Sequence, residues 1–138
     1  MNLNKVKKDI YFYFWLGLFL YITATVLNII HLYQIKGRDP IDFLFHLLLL
    51  GINITLLSRL KEISNLARNI YLVKFVFLCL TFYPIILFVE SGTWVYSQHW
   101  PHGVLQRVFN AGVFLYEIFF AIYLSKRAVR FVFVHRKS

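Results

Sequence analysis

Lys74 and Glu117 stand inside apolar runs, in Ile70-Tyr71-Leu72-Val73-Lys74-Phe75-Val76 and Val113-Phe114-Leu115-Tyr116-Glu117-Ile118-Phe119. A lone charge in hydrocarbon is costly unless it is paired or reached by water. An ammonium and a carboxylate in such runs therefore either pair with each other or form a site for a proton, an ion or a substrate. Asn28, Asn53 and Asn110 occur in similar apolar surroundings, and each amide can both donate and accept between helices. A second group, His31, Asp42, His46, Glu90 and Arg107, borders the apolar runs and is expected to form an outer mouth.

Asp42 and His46 are four apart, and His99 and His102 flank Trp100-Pro101. Imidazole and carboxylate are ligands that zinc or copper accepts. Haem held between two helices of a membrane bundle would need an axial pair, for which His31 and His46 are the candidates. Neither set carries a recognised ligand motif, and both of those histidines fall near the ends of their runs. The expectation is no cofactor, with zinc, copper or haem as the lesser alternative. Cys79 is the single cysteine, so no internal disulfide or CxxC redox pair can form. The sequence contains no P-loop, no HExxH and no GxSxG, and the chain is expected not to be an enzyme.

These residues must be positioned by something, and composition says what. Of 138 residues, 59% are hydrophobic, 20% aromatic and 15% charged. A soluble domain of this size could not bury so much apolar surface. Four apolar runs are long enough to cross a bilayer, over residues 10–33, 41–57, 70–89 and 104–124, followed by a basic tail, 125–138. Because backbone groups must be satisfied internally in hydrocarbon, the runs are predicted to be helices. Four spans of ~20 residues take ~80 positions and leave ~58 for tails and connections. One transmembrane domain covering 1–138 is expected, with no room for a folded ectodomain or a tethered soluble enzyme. The first run follows Lys5, Lys7 and Lys8 as a signal peptide would, yet it continues apolar too far for a cleaved h-region.

Lysine and arginine placement sets the orientation. Lys5, Lys7, Lys8, Arg59, Lys61, Arg68, Lys126, Arg127, Arg130, Arg136 and Lys137 fall on one side, against Lys36, Arg38 and Arg107 on the other. Both termini are predicted to be cytoplasmic, in the plasma (inner) membrane, and the bias argues against dual topology. Trp94, Tyr96 and Trp100 would then form the outer aromatic belt, and Tyr11, Tyr13 and Trp15 the inner one. The basic residues lie beside spans and so read as membrane contacts rather than nucleic-acid contacts. In the tail, Lys126, Arg127, Arg130, Arg136 and Lys137 interleave with Phe131, Val132, Phe133 and Val134, a composition suited to anionic lipids.

The polar residues of each run recur at steps of three and four. Gly17, Tyr21, Ala24, Asn28 and His31 do so in the first, and Asp42, His46, Leu49, Asn53 and Leu56 in the second. The third offers Tyr71, Lys74, Leu78, Thr81 and Ile85, and the fourth Arg107, Asn110, Phe114, Glu117 and Ala121. Such spacing puts each set on one helical face. The prediction is an all-α integral membrane protein: an antiparallel four-transmembrane-helix bundle with a polar interior, its aromatics left for lipid or a partner. At ~1.5 Å per residue, Lys74 lies ~6 Å and Glu117 ~10 Å from the cytoplasmic edge, so the two can pair, with Asn53 nearby. Pro84 is expected to bend the third helix.

Small multidrug transporters place a Glu in their first helix, and the first run here has no acid. Small fluoride channels are Gly-rich with dual topology, which this charge bias contradicts. Immunity proteins against pore-forming bacteriocins share the size, the basic charge and the short connections, without a shared motif. The leading expectation is a protein acting by helix-mediated association with a membrane-protein partner or a second copy, as an accessory, regulatory or immunity-type subunit. The alternative is an oligomeric transporter or channel subunit for an ion, a proton or a small solute, with the polar interior as the pathway.

Overall fold

Unbroken apolar sequence favours helix wherever backbone polar groups lack water, and helix forms along nearly all of the described chain. The computed structural model describes residues 3–36, 40–80 and 101–135, with side chains described for 3–30, 43–80 and 105–135. Five helices and no strand occur among these residues: α1, Leu3–Lys36; α2, Pro40–Lys61; α3, Asn65–Leu80; α4, Pro101–Ser125; and α5, Arg127–His135. Three stretches, Leu3–Ile30, Phe43–Lys61 and Leu105–Ser125, are long and apolar enough to cross a membrane, which marks a membrane protein. The third apolar run is helical as far as Leu80; the rest of it, with Thr81, Pro84 and Ile85, lies outside the described residues.

Local chemistry explains several boundaries. Both α2 and α4 begin on proline, whose fixed φ suits a first turn and whose missing N–H is not needed there. At the turn from α2 to α3, Ser64 N donates to the Arg59 carbonyl (3.3 Å), which Glu62 N also reaches (3.1 Å), and Ile63 N donates to the Leu60 carbonyl (2.9 Å). This is the bonding pattern of a helix C-cap that needs one left-handed residue. Ile63 fills that position at φ 59°, where glycine is usual, and its side chain is only 2% exposed. Burial thus holds a branched residue in a conformation that costs about 1–2 kcal/mol. Ser64 then caps α3, its Oγ accepting from Ala67 N at 3.3 Å.

Helix α1 starts well before the apolar run, because Val6, Ile10 and Phe14 recur every four residues and all are buried. The basic tail folds as α5 for a similar reason: Val129, Val132 and Phe133 share one face and are buried. Helix α1 packs on α2 and α4, α3 packs on the same two, and α5 lies against α1, α3 and α4. Asp9 meets Tyr123 while Asn28 meets Asn110, so α1 and α4 run in opposite directions. The densest core lies at the end carrying the α2–α3 turn and α5, where Val6, Ile10, Leu57, Leu60, Ala67, Leu124, Val129 and Phe133 join. Phe12, Trp15, Leu48, Phe77 and Phe119 face outward and are exposed, as hydrocarbon-facing side chains are.

Candidate functional site

The seam residues of four helices meet around one carboxylate. Glu117, on α4, is 2% exposed and accepts a hydrogen bond from the Tyr21 hydroxyl of α1 at 2.9 Å. Lys74 of α3 places its Nζ 4.0 Å from the same Glu117 Oε1. That ammonium also donates to Asn53 Oδ1 of α2 and lies 4.6 Å from the ring centre of Tyr71. The hydroxyls of Tyr21 and Tyr71 are 3.4 Å apart. One acid, one base, one amide and two phenols thus form a unit in which the opposite charges offset each other. Neutralisation of this kind is what allows ionisable groups to remain inside a membrane helix pair.

Toward the start of α4 the interior carries a group of amides. Asn28 Nδ2 donates to Asn110 Oδ1 (3.1 Å), and Asn110 Nδ2 returns a bond to Asn28 Oδ1 (3.0 Å). Gln106 Nε2 adds a third bond to Asn28 Oδ1 at 2.7 Å. The reciprocal pair fixes the register of α1 against α4, since a one-residue slip would leave both amides unmatched.

Toward the other end lies an aromatic layer. Tyr13 stacks on Phe120 with centroids 4.5 Å apart, and Phe120 also meets Tyr71 (5.1 Å) and Tyr116 (5.7 Å). Tyr116 donates to the Tyr13 carbonyl at 2.6 Å, and Tyr123 donates to Asp9 Oδ2 at 2.9 Å. Gly17 lets α1, α2 and α4 approach here. A Cβ on it would meet the Tyr116 hydroxyl and lie 2.9 Å from Leu57 Cδ1.

Lys74, Glu117 and Asn53 therefore come together, as do Asn28 and Asn110. Of the outer-mouth residues, His46 is part-buried on α2 with the Phe45 ring edge-on at 6.0 Å, and Arg107 is part-buried on α4. The side chains of His31, Asp42, Glu90, His99 and His102 lie outside the described residues, and with them most of the metal and haem candidates. Asp9, Gln106, Tyr116 and Tyr123 are site residues beyond those expected from the sequence, and Tyr13, expected in the interfacial belt, joins them. Asp9, Tyr13, Gly17 and Tyr21 follow one another at steps of four. Extending the α1 seam toward its start would have turned Tyr13 inward. No protein-family model, curated protein or solved structure matches this sequence.

Proposed function

We propose that this chain is an antiparallel bundle of four membrane spans with both termini cytoplasmic, acting by helix-mediated association as an accessory, regulatory or immunity-type subunit in the plasma membrane. The observation that carries this reading is the pairing of the interior polar groups with one another among the described residues. The Glu117 carboxylate is engaged by Tyr21 and Lys74, and Lys74 by Asn53. On the side of the α2–α3 turn the Tyr13–Phe120 stack and Tyr71 pack against one another. Interior polar groups spent on one another hold helices together, which leaves the outer faces for recognition. Those faces carry large exposed side chains, Phe12, Trp15 and Phe19 on α1 and Phe119 and Ile122 on α4, able to pack on other helices.

The test is purification of the full chain in mild detergent, with identification of the membrane proteins that come with it. A stoichiometric membrane partner or a defined homo-oligomer is expected; a monodisperse monomer with no companion would overturn the reading. The second reading, a transporter or channel subunit, is favoured by the buried Glu117–Lys74 pair, because ionisable groups inside membrane spans concentrate at functional sites. Glu117→Gln separates the two. Under the association reading, liposomes containing the wild-type chain carry no proton or ion flux and the variant loses stability. Under the transport reading, a flux exists and disappears in a variant that still folds.

A further inference from the structure

Among the described residues, Arg68 is a buried charge, 6% exposed, whose hydrogen bonds all go to neutral groups. Its Nε donates to Asn65 Oδ1 (3.2 Å), Nη1 to the Leu124 carbonyl (3.1 Å) and Nη2 to Asn69 Oδ1 (3.1 Å). A guanidinium has five N–H donors, so two remain. No carboxylate lies within ion-pair distance of it among the described residues: Glu62 is taken by Arg59 at 3.2 Å, and Asp9 accepts from Tyr123. Helix α5, which packs on α3, carries a second cation, the exposed Arg130. Burial, and then the like charge of Arg130, push the Arg68 guanidinium below its ordinary value. Two helices, α3 and α5, also begin at this end, and helix N-termini are themselves positive. A cation without a counter-ion is costly to bury, and Arg68 has none among the described residues, which points to an anion from outside the chain.

Its level in the membrane says which anion. Arg68 lies two residues before the apolar run that begins at Ile70, and α5 begins two residues after Ser125 ends the last span. Both groups therefore sit where headgroups sit. We infer that Arg68 and Arg130 together seat the phosphate of one anionic phospholipid headgroup. A guanidinium fork suits phosphodiester oxygens, and two positive charges favour an anion. A zwitterionic headgroup would bring its own ammonium against the same two arginines. The inference goes beyond helix-mediated association and needs only that these helices sit in a bilayer.

Native mass spectrometry of the delipidated full chain in a neutral detergent tests it, with phosphatidylglycerol, phosphatidylcholine and inorganic phosphate as probes. The expected result is about one phosphatidylglycerol per chain, retained under activation that removes phosphatidylcholine. Arg130→Gln is expected to lower that occupancy about tenfold, the loss of one charge-assisted contact. Because Arg130 is exposed, this variant keeps the fold even where Arg68→Gln does not. Lys8→Gln, which removes an exposed charge from the same end, is expected to change occupancy less than twofold. Equal retention of the two lipids would overturn the seat, and so would equal losses in Arg130→Gln and Lys8→Gln. Displacement by inorganic phosphate at matched concentration would overturn the lipid assignment. None of these readouts depends on a protein partner, so failure of the association reading is seen separately.

Discussion

At Glu117 the cost of burying a charge is offset by the Tyr21 hydroxyl and by the Lys74 ammonium, which is itself held by the Asn53 amide. Removing one member of a buried pair leaves the other uncompensated, which typically costs ~3–5 kcal/mol. Replacing both by apolar groups removes the problem together with the interaction. Lys74→Met and Glu117→Leu are therefore each expected to lower the thermal midpoint in detergent by more than the double variant does. A double variant whose loss equals the sum of the singles would show that the two groups are not coupled. This pair was legible in the sequence because a charge inside an apolar run is conspicuous, and because a rise of 1.5 Å per residue brings both to similar depth. Arg68 and Asp9 were not legible. They lie at the ends of runs, where a charged residue reads as a topology signal, and only the folded chain shows that one is buried and the other bonded to Tyr123.

Among the elements, the turn between α2 and α3 and the crossing at Gly17 are the places where backbone geometry limits the sequence. Ile63 combines a left-handed φ of 59° with near-complete burial. Ile63→Ala keeps the conformational cost and loses the burial, whereas Ile63→Gly loses the burial and relieves the cost. Both are expected to destabilise, with alanine worse than glycine by about 1 kcal/mol; unfolding monitored by circular dichroism in detergent gives the order, and the reverse order would refute the account. Glycines inside helices supply a second contrast. A Cβ at Gly17 would meet Tyr116 and Leu57, while one at Gly51 would find nothing within 4 Å. Gly17→Ala is thus expected to destabilise through overpacking by ~1–3 kcal/mol. Gly51→Ala is expected to be neutral or to stabilise by up to ~1 kcal/mol through helix propensity. The existence of long helices followed from apolar run length, but the early start of α1 and the folding of the basic tail as α5 did not. Each depends on apolar residues spaced three or four apart among lysines and arginines, a weak pattern until a neighbouring surface buries it.

On the scale of the whole molecule, the polar and aromatic interiors are ordered along the helix axes. Amides lie toward the start of α4, the Glu117 unit follows, and the tyrosine–phenylalanine layer and the densest core lie toward the α2–α3 turn. Tyr21 and Tyr71 were expected on the inward seams, but Tyr13, Tyr116 and Tyr123, expected at the interface or left for lipid, join the interior as well. Phenol rings are amphipathic, so they can fill a membrane core provided each hydroxyl reaches a partner. The dense end is also the basic end, with Lys7, Lys8, Arg59, Lys126, Arg127 and Arg130 around it and exposed or part-exposed. If that end is cytoplasmic, as the charge bias requires, positions 8, 62 and 127 all lie on the same side of the membrane. Single cysteines at these positions, in a Cys79→Ser background, are then expected to resist a membrane-impermeant maleimide in intact cells and to react once the membrane is opened. A cysteine at position 97, between the third and fourth apolar runs, is expected to react in intact cells. Labelling of position 8 on one side and position 127 on the other would require an odd number of spans, and the four-span bundle would have to be abandoned.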